Sequence, residues 1–154
     1  MDTLSKNRAL QLAYGDFFAQ WQWDWFTTLT FNDSVHPEKA EKLFRVWISR
    51  LNKDLYGRRW FNREPHGTHW LLTIEFHKSG SIHLHALVGN TKDARRLSWM
   101  DNWHELDYKS GFARVEPITY KGAATRYVTK YTTKGGELFF SGNLRSQINK
   151  ASVQ

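Results

Sequence analysis

Alternation of apolar and polar residues is clearest in the middle of the chain, over residues 71–76 and again over 82–88. A period of two places successive side chains on opposite faces of a β-strand, so both segments are predicted to be strands. In the second strand, His83 and His85 share one face, and the apolar residues around them share the other. The pattern therefore predicts a hairpin that carries two imidazoles side by side.

The turn between these strands decides which residues of the first strand join the two histidines. The residues Lys-Ser-Gly at 78–80 predict a three-residue turn with Gly80 in the left-handed conformation. That register pairs Glu75 with His83 and places Glu75, His83 and His85 on one face of the hairpin. A two-residue loop would put Glu75 on the opposite face.

The remaining segments complete a pattern of mixed helices and strands. The predicted elements, in order, are a weak helix at 4–20, a strand at 25–31, a helix at 38–56, the two hairpin strands, a helix at 92–108 capped by Asn90, a strand at 112–118, a helix at 119–134 and a weak strand after 137. This order predicts an α+β fold with a central antiparallel sheet and helices packed on one face, ferredoxin-like or RRM-like. We predict a single domain over 1–154 with its core at about 24–136, the N-terminal helix and C-terminal tail being peripheral.

Composition adds a modest preference for nucleic acid. The chain has a net charge of +7 and contains eight Trp, six Tyr and ten Phe residues, a combination typical of single-strand binding but also common in other soluble proteins. In the predicted loop at 57–67, Arg58 and Arg59 are candidate DNA contacts or ordinary exposed residues. The absence of cysteine excludes disulfides and thiolate chemistry, and the absence of a long apolar stretch predicts a cytoplasmic protein without a membrane partner.

The hairpin face has the chemistry of a cation site. Two neutral imidazoles and one carboxylate, here His83, His85 and Glu75, form a donor set for a divalent ion with coordination positions left open. The alternative is a pair of surface histidines next to an acid, which is common for an isolated His-x-His motif. The directly opposed Glu75 favours the metal site.

A second informative pattern lies in the predicted helix at 119–134. Tyr127, Lys130, Tyr131 and Lys134 fall within an arc of about 100° on a helix, because spacings of three and four residues bring side chains onto one stripe. A phenol needs nearby positive charge to act as a nucleophile at neutral pH, and the two lysines supply it. The alternative is an ordinary amphipathic helix.

Together these segments resemble a known enzyme family. FTTLTF at 26–31, EFHKSGSIHLHALV at 75–88 and YVTKYTTK at 127–134 have the order and spacing found in the HUH endonucleases. More narrowly, they resemble the nuclease domains of rolling-circle replication initiators of plasmids, phages and single-stranded DNA viruses. The resemblance implies the HUH fold over residues 24–136 and a Mg²⁺ or Mn²⁺ site on Glu75, His83 and His85.

The resemblance also implies roles for the tyrosine helix. Tyr127 matches the nucleophile of the Tyr-x-x-Lys motif and Lys130 its lysine, so Tyr127 is expected to attack first. Tyr131 remains open, because Tyr-x-x-x-Tyr resembles initiators with two alternating tyrosines. The DNA contacts predicted alongside are Thr28, Thr30, His77, Arg58, Arg59 and Lys134.

The activity implied is site-specific nicking and rejoining of single-stranded DNA at a replication origin. Transesterification would leave a 5′-phosphotyrosine and a free 3′-OH and so initiate rolling-circle replication. A helicase and a polymerase would act in trans, because the chain has no Gly-x-x-x-x-Gly-Lys-[Ser/Thr] motif. The alternatives are a relaxase or a single-strand transposase with the same chemistry, and a non-catalytic module that binds single-stranded nucleic acid.

Overall fold

The protein is built on a central antiparallel β-sheet with helices on both sides. The computed structural model describes residues 3–131 and 137–144. The strands are β1 (Trp25–Phe31), β2 (His69–Phe76), β3 (Ile82–Gly89), β4 (Ser110–Pro117) and β5 (Leu138–Phe140). The helices are α1 (Thr3–Phe18), α2 (Pro37–Tyr56), α3 (Arg96–Leu106) and α4 (Ala123–Tyr131), with a short 3₁₀ turn at Trp60–Asn62. The order of the five strands in this described sheet is β4-β1-β3-β2-β5.

One face of the sheet carries the larger core, under α2 and α3. Three indoles hold these helices together, with Trp47 of α2 packed edge to face against Trp99 and Trp103 of α3. The indole N–H of Trp47 donates to the Trp99 carbonyl at 3.0 Å, and that of Trp103 donates to the Thr30 carbonyl at 3.1 Å. Both buried N–H groups are therefore satisfied, and Trp103 fastens α3 directly to β1.

The other face is covered only in part, by α1 and α4. Leu71 and Leu87 lie on this face, and they pack in a second cluster with Phe18 of α1 and with Ala124 and Val128 of α4. The α+β class with a central antiparallel sheet is confirmed, but the expectation that helices pack on one face is wrong. Two fully buried leucines on the supposedly polar face require an apolar cover.

The hairpin register matches the one predicted from the turn. Glu75 pairs with His83, and Thr73 pairs with His85. The turn closes through hydrogen bonds from the His77 N–H to the Ser81 carbonyl at 2.9 Å and from the Gly80 N–H to the His77 carbonyl at 3.0 Å. Gly80 has φ 88°, in the left-handed region that the three-residue turn requires.

Two helix starts differ from the predictions. α3 begins at Arg96, and Asn90 is not its cap, because Asn90 adopts φ 59° and its carbonyl accepts the Tyr56 hydroxyl. The turn that follows is held by Asp24, whose carboxylate accepts bonds from the Thr91 N–H and hydroxyl. α4 begins at Ala123 rather than at 119. None of the helices in the described ranges combines the length and apolar character that crossing a bilayer requires.

Candidate metal centre and tyrosine helix

Three predicted ligands converge on the partly covered face of the sheet. Glu75 of β2 and His83 and His85 of β3 each offer one ligand atom, and these atoms all lie within 4.8 Å of one another. The convergence follows from the hairpin: Glu75 and His83 are a directly opposed pair, and His85 is two residues further along the same face. The predicted grouping of these three side chains is confirmed.

The unpartnered nitrogens around Glu75 test whether these residues fit a cation. Nε2 of His85 lies 3.1 Å from Oε2 of Glu75, and Nε2 of His77 lies 3.1 Å from Oε1. Neither contact has hydrogen-bond geometry, so both buried nitrogens lack a hydrogen-bond partner among the described residues. An unsatisfied buried polar atom costs about 1–3 kcal/mol, and ligation of a cation would remove that cost. Imidazole and carboxylate donors that converge without satisfying one another fit a divalent metal.

The protonation state of the histidines also suits ligation. Burial lowers the pKa of His85 to about 4, against the opposing charge of Glu75 and with a smaller lowering effect from His83 and Lys130. Burial likewise lowers the pKa of His83, and the neighbouring His77 acts in the same direction. Both rings are therefore neutral at pH 7, the form in which imidazole binds metal.

Residues of β1 fix the orientation of His85. Oγ1 of Thr28 lies 3.3 Å from Nδ1 of His85, which leaves Nε2 directed towards Glu75. The ring of Phe26 is nearly parallel to the His85 ring, with the centroids 6.0 Å apart. Thr28, predicted as a DNA contact, therefore touches a predicted ligand. The role of Phe26 was missed, although its spacing of two from Thr28 places both on one face.

Tyr127 is enclosed between α4 and the sheet. It is 2% exposed, and its hydroxyl donates to the His85 carbonyl at 2.7 Å and to Oγ1 of Thr73 at 3.1 Å. Burial raises the pKa of this phenol, so its ionised form is disfavoured. This placement fits an anchoring residue better than the first attacking group that the motif suggests.

Tyr131 lies one helical turn further on, directly over the candidate ligands. Its ring stacks on the His85 ring, with centroids 4.3 Å apart and planes 24° apart, and it also stacks on Phe26 at 5.9 Å. Nζ of Lys130 lies 5.0 Å from the centre of the Tyr131 ring. The structure thus combines a half-buried phenol, a lysine and the ligand cluster at one place.

Other predicted DNA contacts lie elsewhere. Thr30 is 3% exposed and donates to the Phe112 carbonyl at 2.8 Å, so its hydroxyl joins β1 to β4 and is not presented to solvent. Arg58 and Arg59 are exposed, but they precede β2 whereas Glu75 is near its far end, about 20 Å along an extended strand. Lys134 lies outside the described residues.

Comparison with known proteins gives the family of the chain. It belongs to the Replication-associated protein ORF2 family, whose model matches residues 24–136. It is similar to the crystal structure of the hypothetical protein ORF119 from Sulfolobus islandicus rod-shaped virus 1, at 21% identity and a TM-score of 0.49, covering 79% of this chain and 90% of that chain. No curated protein matches the chain. By family, this is a replication-associated protein.

Proposed function

We propose that the protein is an HUH-type endonuclease that nicks and rejoins single-stranded DNA to initiate rolling-circle replication. The observation that carries the proposal is the position of the Tyr131 ring, 4.3 Å from the His85 ring, beside the cluster of Glu75, His83 and His85. A replication-associated family supports the biological setting. The convergence of a phenol, a lysine and three ligand-type side chains on one face of the sheet supports the chemistry.

Glu75, His83 and His85 would hold Mg²⁺ or Mn²⁺. When bound, such a cation supplies Lewis-acid polarisation of the scissile phosphate and stabilises the charge that develops on its oxygens. The protein's own part is to keep both imidazoles neutral by burial and to fix the His85 ring through Thr28. Nicking would therefore require the metal and all three side chains.

Tyr131 is the proposed first nucleophile. Its phenol oxygen forms a bond to the scissile phosphorus as the bond to the 3′ oxygen breaks, and the departing 3′ oxygen keeps that electron pair and takes up a proton. The phenol proton is lost to solvent, and the products are a 5′-phosphotyrosine and a free 3′-OH. Because one ester replaces another, the 3′-OH can attack the phosphotyrosine and reseal the strand.

The neighbouring residues of α4 take different roles. Lys130, close to the Tyr131 ring, favours negative charge on the phenol and on the phosphate. Tyr127 is reassigned from first attacker to anchor, because its hydroxyl is buried and bonded to the His85 carbonyl. The free 3′-OH would prime a polymerase supplied in trans.

Covalent capture tests the proposal. The full chain is incubated with Mn²⁺ and end-labelled single-stranded DNA from its own replicon, and denaturing gels detect a covalent adduct. We expect an adduct with the unsubstituted protein and with Tyr127→Phe, and none with Tyr131→Phe or in EDTA. Mass spectrometry should place the nucleotide on Tyr131.

Two results would overturn the proposal. An adduct that persists in Tyr131→Phe would exclude Tyr131 as the first nucleophile. Binding of DNA without any adduct, across all fragments of the replicon, would indicate a non-catalytic binding module instead.

A further inference from the structure

The face that carries the ligand cluster is open on the side of β1 and β4. The apolar end of this face, at Leu71 and Leu87, is covered by α1 and α4. On β4, by contrast, Phe112 is 63% exposed, and the side chain of Arg114 is 68% exposed. Residues 112 and 114 of a strand share one face, so an exposed ring and an exposed guanidinium lie next to each other.

Strand register connects this pair to the ligand cluster. Thr28 of β1 pairs with His85 on one side and with Arg114 on the other. Paired residues share a face, so Arg114, Thr28 and His85 form one row across three strands. With strands about 4.8 Å apart, the Cα atoms of Arg114 and His85 are separated by about 10 Å, and Phe112 is one step of about 7 Å further along β4.

The chemistry of this surface suits a single strand of nucleic acid. Unpaired bases stack on exposed aromatic rings, and phosphates bind guanidinium groups. A single exposed phenylalanine is common on protein surfaces, but few stand mid-strand beside an arginine and in line with a candidate cleavage site.

Arg114 is available for such a contact. Its Nε lies 3.7 Å from Oε1 of Glu116, and both side chains are more than half exposed. An exposed ion pair of this kind contributes about 0–1 kcal/mol, so a phosphate can compete with Glu116 for the guanidinium. A phosphate also accepts two parallel N–H bonds from arginine, which the single Nε contact does not provide.

We propose that single-stranded DNA runs from the ligand cluster across β1 to β4, with one base stacked on Phe112 and one phosphate bound by Arg114. The path takes its starting point from the proposed nicking site, and so it rests on that function. Binding along the path, however, can be measured without any chemistry.

The test uses fluorescence anisotropy of a fluorescein-labelled oligothymidylate with the full chain carrying Tyr131→Phe, in EDTA. Phe112→Ala should weaken binding about 5- to 100-fold, since base stacking on one ring accounts for that range, and Phe112→Tyr should retain it. Arg114→Gln should reduce the slope of log Kd against log salt by about 0.7, the loss of one phosphate contact. Annealing the oligonucleotide to its complement should weaken binding, because paired bases cannot stack on Phe112.

Matched controls lie on surfaces that the proposed path does not cross. Phe76 is 66% exposed on the opposite face of the same sheet, and Arg50 is exposed on α2. Phe76→Ala and Arg50→Gln should leave the affinity and the salt slope unchanged. Equal losses for Phe76→Ala and Phe112→Ala, an unchanged slope for Arg114→Gln, or no binding of single strands at all would overturn the path. Failure of covalent capture with these binding effects intact would instead reject only the nicking function.

Discussion

The hydroxyl of Tyr127 donates a hydrogen bond to the carbonyl oxygen of His85 over 2.7 Å, so α4 is fastened to the backbone that presents the candidate ligand. The next tyrosine on the helix, Tyr131, then falls over the His85 ring. A buried tyrosine thus sets the height and rotation of α4, and a half-buried one occupies the position where chemistry is proposed. The two phenols of the motif have different surroundings although they are one turn apart.

Replacement of Tyr127 by phenylalanine should separate anchoring from catalysis. Tyr127→Phe removes the bonds to His85 and Thr73 but keeps the ring, so we expect the free energy of unfolding to fall by about 1 kcal/mol. Urea denaturation measures this loss. Tyr14→Phe, at an exposed tyrosine of α1, is the matched control and should not change stability. Loss of the covalent adduct in a folded Tyr127→Phe protein would contradict the anchoring role.

The turn glycine should matter for its backbone conformation alone. Gly80 has φ 88°, and a Cβ there would meet nothing within 4 Å, so Gly80→Ala adds strain without a clash. We expect a loss of about 1 kcal/mol in the free energy of unfolding, and a smaller loss for Gly80→Asn, which tolerates left-handed φ. At Gly142 a Cβ also meets nothing, and φ is not positive, so Gly142→Ala should be neutral. Equal stability of Gly80→Ala and Gly142→Ala would show that φ at residue 80 is unimportant.

The ligand cluster was predictable because it depends on local rules. Alternation fixes the faces of His83 and His85, and the Gly80 turn fixes the parity that brings Glu75 beside them. These rules involve residues fewer than a dozen positions apart, and no tertiary packing enters.

The roles of the two tyrosines were not predictable in the same way. Tyr127 and Tyr131 lie on one stripe of α4, so periodicity cannot say which one faces the core and which one faces the ligands. Packing of Ala124 and Val128 on Leu71 and Leu87 decides the rotation of the helix. The same apolar contacts explain why the second face carries helices, since the prediction read this face as polar from Glu75 and the histidines alone.

Thr28 should contribute to metal affinity without being a ligand. Its hydroxyl is the group next to Nδ1 of His85, and such partners orient a ligating imidazole. Thr28→Val keeps the shape and removes the bond, so we expect Mn²⁺ affinity to fall about 10-fold, while Thr28→Ser should restore most of it. Isothermal titration of Mn²⁺ in the absence of DNA gives the affinities. Identical binding by Thr28→Val and the unsubstituted protein would mean that Thr28 does not orient His85.

His69 should make the fold sensitive to acid. It is buried, and its ring N–H donates to the Gln22 carbonyl at 2.7 Å. Burial lowers the pKa of His69, although the Gln22 bond and the charge of Asp24 oppose the shift. The unfolded chain therefore binds the proton more tightly than the native protein does, and the stability from neutral His69 is lost as the pH falls below about 6.5. The free energy of unfolding should thus decline less between pH 7 and pH 5 in His69→Gln, and parallel declines would contradict this.

His77 should position Glu75 for metal binding. Its Nε2 lies 3.1 Å from one carboxylate oxygen of Glu75, while the other oxygen lies 3.1 Å from Nε2 of His85. The His77 ring also packs edge to face on the His83 ring, with centroids 4.3 Å apart. His77→Phe keeps that ring contact and removes the nitrogen, so we expect weaker Mn²⁺ binding by about 10-fold, whereas His77→Gln, which restores a polar N–H, should recover it.

The readout for His77 must distinguish positioning from general folding. Mn²⁺ titration followed by electron paramagnetic resonance reports binding directly, and urea denaturation in EDTA reports stability. Positioning predicts that His77→Phe and His77→Gln are equally stable without metal and differ in Mn²⁺ affinity. If both variants bind Mn²⁺ as the unsubstituted protein does, the carboxylate of Glu75 is held by the hairpin backbone alone and His77 has no part in the site.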